Sequence, residues 1–460
     1  IKLDGNYPVG TNNVALGDTA LDSLTSGTNN TALGSASLTT TSSGSNNVAV
    51  GFNALTANTT AGYNVAFGTN TLAGNTTGSE NAVFGGAAGL ANTTGTGLTG
   101  AGYTALRFNT TGNYNTALGD AALYANTTAS NNTAVGYQAG YGNTTGASNA
   151  SLGKGSLYSN TTGNFNVAFG DTALQANTTA SSNTAVGFQA GYSHTTNGYL
   201  TAIGYKAGYT GNTDNAFVGY EAGYNSTGGS NTAMGSYRAL YSNTSGSNNT
   251  AIGREALQAN TTASNNTAVG YQAAYSNTTG SVTAFGQKAL FNNTTGADSV
   301  AVGIQALVSN STGNYNTAIG HTALTSNTTA AANTAVGYQA LTTNTTGGDN
   351  AAFGYQAAQS NTTGDYLTAI GRQALYNNTT ASNNTAVGYQ AGYSGTTSAG
   401  NTLIGKQAGY ALTTANGNTF IGSDSGELLT TGQNNTILGR YSGNQDGLDI
   451  RTASNRIVLS

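Results

Sequence analysis

Asn132-Thr133-Ala134-Val135-Gly136-Tyr137-Gln138-Ala139-Gly140-Tyr141-Gly142-Asn143-Thr144-Thr145-Gly146-Ala147-Ser148 is seventeen residues long, and most of the chain repeats it. The glycine of Ala-Val-Gly marks the register. It recurs every seventeen residues from Gly17 through Gly34, Gly51, Gly68, Gly85, Gly102 and Gly119 to Gly204. Between Gly204 and Gly303 the spacing drifts, and from Gly303 to Gly439 it is again seventeen. That makes twenty-six copies. A fixed short period means one structural unit stacked on itself.

Helix is a poor reading of the unit. Two or more glycines and an Asn-Thr-Thr-Gly breaker in seventeen residues leave no apolar stripe of helical period. Short strands fit better. Thr-Ala-Val-Gly reads as one and Tyr-Gln-Ala-Leu as another, with the marker glycine as the bend. Asn-Thr-Thr-Gly and Ser-Asn-Asn supply turns, because Gly and Asn tolerate left-handed backbone. The fold expected is an all-β parallel β-solenoid, or β-roll, of about twenty-six coils of seventeen residues. At about 4.8 Å per coil it would stack to roughly 125 Å. A single proline, Pro8, precedes the repeats, which suits unbroken backbone ladders. Three segments are expected: 1–12, a cap or linking strand beginning Ile1-Lys2-Leu3; 13–443, the repeat array; and 444–460, a terminal strand, cap or start of a following domain.

Each copy is read against its marker glycine. Four residues before it stands Asn, as at Asn13, Asn30, Asn47, Asn64, Asn81, Asn115, Asn132, Asn149, Asn166 and Asn183. Stacked in register, these predict a ladder of side-chain amides, each bonded to its equivalents above and below. The large residue just before the glycine (Leu33, Phe67, Leu118, Val135, Phe169) predicts a continuous internal column, and Leu four after it a second. Small bulges without loss of the columns are expected between Gly204 and Gly303. Blocks such as Asn126–Asn132 and Asn177–Asn183 recur fifty-one residues apart, which is three coils. The plainer reading is block duplication; the sharper is a functional pattern on every third coil.

Only 6% of residues are charged, and the net charge is −4. No basic run exists, so nucleic acid is not an expected partner. No stretch has the length of a membrane-spanning helix. There is no cysteine. Low complexity of this kind often means disorder, but a large apolar residue held in register over so many copies does not.

The motif Asn-Thr-Ala-Ile-Gly, at Asn249–Gly253 and Asn316–Gly320, resembles two groups of repeats. One is the shaft of phage tail-fibre and tail-spike-like proteins. The other is the head of trimeric autotransporter adhesins, built on Asn-Ser-Val-Ala-Ile-Gly. The resemblance covers residues 12 to about 440, and Ser454–Ser460 is similar to the segment that follows such repeats in tail-fibre-like chains. It implies an extracellular, cell-surface or virion-surface β-roll, commonly a homotrimer.

Three surface features carry possible chemistry. Asn-x-Thr, the N-glycosylation acceptor pattern, recurs at Asn58, Asn75, Asn92, Asn109, Asn126, Asn143, Asn160 and Asn177, and at Asn260, Asn277, Asn293, Asn310, Asn327, Asn344, Asn361 and Asn378. Plain turn chemistry explains the pattern; sugar on the Asn or the Thr hydroxyls along one edge is the alternative. Tyr137, Tyr271, Tyr338 and Tyr389 share the place after the marker glycine and are a candidate saccharide-stacking column. Tyr141, Tyr158, Tyr192 and Tyr209 share the place five after it, where stacking between coils is the simpler role. Catalysis has little support. His194 and His321 are isolated, and Asp18, Asp120 and Asp171 sit at equivalent places on separate coils, as a solvated face would. No cofactor is expected, and neither a calcium repeat nor a Cys/His metal cluster is present. Adjacent threonines suit an ice-binding array poorly, since alternation sends them to opposite faces. The reading is a non-enzymatic extracellular rod, the shaft of a fibre or adhesin, with self-association as homotrimer or end-to-end filament and a cell-surface glycan as possible partner. A glycosylated filament subunit and a saccharide-binding module are the alternatives.

Overall fold

The computed structural model describes residues 10–211 and 213–460. The expected strand at Ile1-Lys2-Leu3 lies outside them. The chain divides into two compact units, Ile1–Gly229 and Ser230–Ser460. Both are parallel β-solenoids. The first carries the coil strands β1 (Val14–Leu16) to β13 (Ala216–Tyr220), and the second β14 (Thr232–Tyr237) to β26 (Thr436–Leu438). No helix occurs among the described residues.

Most coil strands are three residues long and pair in parallel with the equivalent strand of the next coil, seventeen residues on in the regular stretches, as Val14↔Thr31 and Thr116↔Thr133, and fifteen to eighteen on where the spacing drifts, as Thr201↔Ala216 and Thr232↔Thr250. The longer strands fall where the spacing drifts: β13 and β14, Val282–Phe285 and Ser299–Val302. The interior positions persist there, with Phe217 in the first unit and Ala284 and Ala301 in the second all buried.

The segment expected as a second strand is not one. In coil Gly119–Tyr124, Ala121 and Leu123 both have left-handed backbone, at φ 55° and 49°. Their N–H groups still bond across coils, Ala121 to Tyr103 O at 2.9 Å and Leu123 to Ala139 O at 3.0 Å. The segment is a chain of turns that keeps the inter-coil ladder while bending. A left-handed leucine costs on the order of 1 kcal/mol, and full burial of its side chain contributes about 1.5–3 kcal/mol, so burial wins. Leu38, Leu55, Leu72, Leu106, Leu157 and Leu174 form the expected leucine column of the first unit, all buried.

The other expected column is corrected. The residue before the marker glycine points outward, and the alanine before that points in. Ala32, Ala49, Ala66, Ala117 and Ala134 are fully buried, whereas Leu118, Leu152 and Phe67 are 38%, 47% and 54% exposed. Alternation allows one of the two inside, and the space opposite the leucine column fits a methyl group. The marker glycine itself is obligatory at most coils. Gly119 has φ 139°, and a Cβ there would lie 2.4 Å from Gly136 O of the next coil.

The tail continues the stack. After a small antiparallel hairpin, β27 (Asn444–Gln445) with β28 (Leu448–Asp449), β29 (Ile457–Leu459) pairs in parallel with β26.

Candidate functional site

The Asn four before the marker glycine is buried in nine of the ten expected places, with Asn13 half-buried. Its bonding differs from an amide ladder. The Asn132 backbone N–H donates to Asn115 Oδ1 at 2.9 Å, and Asn132 Nδ2 donates to Gly146 O at 2.9 Å. The side chain thus ties the backbone of adjoining coils together. Amide meets amide only at some steps, as Asn47 Nδ2 to Asn30 Oδ1 at 3.1 Å.

The side-chain amide ladder belongs instead to the Asn of Asn-Thr-Thr. In the first unit Asn109 Nδ2 donates to Asn92 Oδ1 at 2.8 Å, Asn126 to Asn109 at 2.7 Å, Asn143 to Asn126 at 2.9 Å and Asn160 to Asn143 at 2.8 Å. The second unit repeats it, as Asn310 to Asn293 at 2.8 Å and Asn361 to Asn344 at 2.8 Å. Each Nδ2 also donates to a carbonyl three residues on, as Asn126 to Ala129 O at 3.0 Å. The expectation that these asparagines stand on an outer edge is therefore corrected. Asn58, Asn75, Asn92, Asn109, Asn126, Asn143, Asn160 and Asn177 are buried, and so are Asn260, Asn277, Asn293, Asn310, Asn327, Asn344, Asn361 and Asn378. The nitrogen a glycan would join has both hydrogens committed inside the coil.

The two threonines that follow divide their roles. The first donates its hydroxyl to the next coil, as Thr127 Oγ1 to Thr144 O at 3.0 Å. The second, at Thr111, Thr128, Thr145 and Thr162, is exposed and forms an outward hydroxyl row.

The tyrosines five after the marker glycine stack as expected. Tyr124, Tyr141 and Tyr158 lie 4.9 and 5.0 Å apart, within 5° of parallel, and Tyr192 meets Tyr209 at 5.0 Å. Partial burial and the neighbouring phenols push the Tyr141 hydroxyl above its ordinary pKa. The other four do not make one aromatic column. In the first unit Tyr137 stands between Asp120 and Lys154. In the second, Tyr271 and Tyr389 lie beside Arg254 and Arg372, with the guanidinium 5.8 and 5.9 Å from the ring centre. Of these four, Tyr338 is the one in ring contact, with His321 at 5.6 Å and Tyr355 at 5.3 Å.

Asp18, Asp120 and Asp171 stay apart; Asp120 and Asp171 are three coils from each other, about 14 Å. Among the described residues no three His, Cys, Asp or Glu side chains come close enough to hold a metal ion. His321 is exposed, with Nδ1 3.3 Å from Thr322 Oγ1. His194 is buried, and burial holds its pKa below the ordinary value.

Two features escape the sequence reading. His194 stands seventeen after Asn177, in the ladder's own register, so its place was readable from spacing alone. A set of exposed rings five before the marker glycine was readable only by following the fifty-one-residue period into the turns: Tyr63, Tyr114 and Phe165 in the first unit, Tyr315 and Tyr366 in the second. Comparison of the chain with protein-family models and with curated proteins finds no match.

Proposed function

We propose that the chain is a non-enzymatic rod in an extracellular, cell-surface or virion-surface fibre, of the tail-fibre or trimeric-adhesin-head kind, and that it works side by side with further copies of itself. The outward apolar column carries this reading. In the first unit it runs through Leu33, Phe67, Phe84, Leu118, Leu152, Phe169 and Ile203, and in the second through Met234, Ile252, Phe285, Ile319, Phe353, Ile370, Ile404 and Ile421. Contiguous exposed apolar surface of this extent on a folded protein marks an interaction face. A second copy presents the same ladder at the same spacing, so equivalent residues can meet along its length. The ladders of backbone, amide and hydroxyl bonds give the stiffness a spacer needs.

Sedimentation of the intact chain, followed by electron cryo-microscopy, tests the reading. Three chains about one axis, with Leu118, Leu152 and Phe169 turned inward, are the expected result. A species that stays monomeric at all concentrations, with that column bare, overturns it. A second reading, a glycosylated filament joined end to end, draws support from the exposed row Thr111, Thr128, Thr145 and Thr162. Extra density on those hydroxyls, with one chain per cross-section, would favour it.

A further inference from the structure

Five residues before the marker glycine the backbone is left-handed in nearly every coil. Asn, Ser, Gly and Asp occupy most of these places, as Asn46, Gly97, Asn131, Ser148 and Ser182 do. That is the usual choice for such backbone. Six coils break the rule with an aromatic ring: Tyr63 (φ 60°), Tyr114 (φ 56°), Phe165 (φ 57°) and Tyr199 (φ 64°) in the first unit, and Tyr315 (φ 58°) and Tyr366 (φ 57°) in the second. All six are 61–69% exposed.

Neither local preference nor packing accounts for them. A bulky residue with positive φ is unfavourable, and such outliers gather where function holds them. Stacking within the solenoid does not explain them either. Tyr63 stands between Asn46 and Glu80, Tyr114 between Gly97 and Asn131, and Phe165 between Ser148 and Ser182. Tyr114 rests on Gly97, where an added Cβ would lie 2.6 Å from its ring, and the rest of the ring faces solvent. The spacing is regular. Tyr63, Tyr114 and Phe165 are fifty-one residues apart, and so are Tyr315 and Tyr366. Three coils place successive rings about 14 Å apart.

The surface between the rings narrows the ligand. In the first unit this edge is built from Asn109–Asn115, Asn126–Asn132, Asn143–Asn149, Asn160–Asn166 and their equivalents. Between residues 58 and 200 its only ionisable side chains besides the tyrosines are Glu80 and the buried His194. It offers the hydroxyls of Thr111, Thr128, Thr145 and Thr162, all exposed. A single-stranded nucleic acid also stacks on aromatic rings, but it needs a basic groove, and this edge has no Lys or Arg. A neutral chain of six-membered sugar rings has what the edge matches: apolar faces for the aromatics, and hydroxyls along its sides for Thr, Ser and Asn. Each sugar is about as long as a coil is high (about 4.8 Å), so every third sugar would meet a ring.

We infer that the edge bearing Tyr63, Tyr114 and Phe165 binds a linear neutral polysaccharide laid along the coils; the edge bearing Tyr315 and Tyr366, where Asp298, Asp349 and Asp365 stand beside the rings, is outside this inference. The inference does not depend on how many chains make up the rod.

The full-length chain is incubated with amorphous cellulose, with chitin and with a soluble mixed-linkage glucan, and bound and free protein are measured. A single-stranded oligonucleotide is the control. In the test variant Tyr63, Tyr114 and Phe165 become Asn, the residue many coils carry there, so the melting temperature should hold. Binding to at least one polysaccharide, weakened about tenfold or more in the variant (about 1.4 kcal/mol), is the expected result. Phe in place of Tyr63 and Tyr114 should bind like the parent. Moving one ring by a coil, with Tyr114→Asn and Asn131→Tyr, should weaken binding as much as Tyr114→Asn alone. No binding to any of the three polysaccharides, unchanged binding by the Asn variant, or preference for the oligonucleotide would each overturn the inference.

Discussion

In the first unit the interior amide ladder climbs from Asn58 to Asn177 and meets His194 where the next Asn belongs. Asn177 Nδ2 donates to Asn160 Oδ1 at 2.7 Å, but Asn177 Oδ1 has no partner, and neither does His194 Nε2. Two buried polar atoms left unmatched cost about 1–3 kcal/mol each. His194→Asn would put a donor beside Asn177 Oδ1, and we predict a stabilisation on the order of 1–3 kcal/mol, read from denaturant unfolding. The same change should remove an acid sensitivity. Burial lowers the His194 pKa below its ordinary 6.5, so the unfolded chain takes up the proton first. Stability is then full above pH 6.5 and falls as the pH drops below it. Comparing unfolding midpoints at pH 7.5 and 5.5 should show a fall in the parent that is smaller in the variant; equal falls would mean another group titrates. The glycosylation pattern belongs to this scale as well. Peptide mapping of the folded protein should find Asn109, Asn126 and Asn143 bare, with any sugar on Thr111, Thr128 or Thr145. A glycan on those asparagines would show that the ladder forms some other way.

At the scale of one coil, the interior is a balance of volumes. Where the inward alanine becomes large, the leucine column gives way to glycine. Phe217 fills the space left by Gly208 and Gly223, and Phe420 that left by Gly426. Gly140 has no such partner, and a small void lies between Leu123, Ser151 and Leu157. Leu123 leans into that place, where a Cβ on Gly140 would lie 2.9 Å from Leu123 Cδ2, and the void is about the size of one water. Gly140→Leu therefore overpacks the coil and should lower the melting temperature; a higher one would mean that Leu123 withdraws to make room. Leu106→Ala, in a filled coil, should cost about 2–5 kcal/mol. Leu118→Ser, on the outward column, should change the stability of a single chain by less than about 0.5 kcal/mol while weakening self-association. Period, parallel register and the leucine column were all legible in the sequence, because each is a statement about spacing. The direction of the outward column was not. Thr-Ala-Val gives alternation but not its phase, and hydrophobicity alone suggested that Val, Leu and Phe go inside. Nor could spacing reveal a leucine in left-handed backbone, since that depends on what burial returns. The Asn positions were legible too, but which set formed the amide ladder turned on side-chain geometry, and the exposed rings were hidden inside turns read as punctuation.

At the largest scale, within each unit, a stack of near-identical coils is quasi-one-dimensional: each coil touches only its neighbours. Register should therefore matter more than length. Deleting residues 120–170 joins Gly119 to Asp171, which occupies the same coil position as Asp120. Three coils vanish and every column continues: Leu106 then lies over Leu174, and Asn109 over Asn177. The shortened chain should keep its circular dichroism per residue and its resistance to protease, and lose only a modest part of its stability. Deleting residues 120–144 removes about one and a half coils instead. Gly119 is then followed by Thr145, and the second Thr of a turn falls in a place that needs the first residues of the leucine arch. The buried Asn of one coil would face the turn of the next, with its amide unmatched at about 1–3 kcal/mol for each group. That chain should be protease-sensitive over the first unit. If both deletions fold equally well, the columns are not what sets the register; if both fail, the first unit folds as one indivisible body rather than coil by coil.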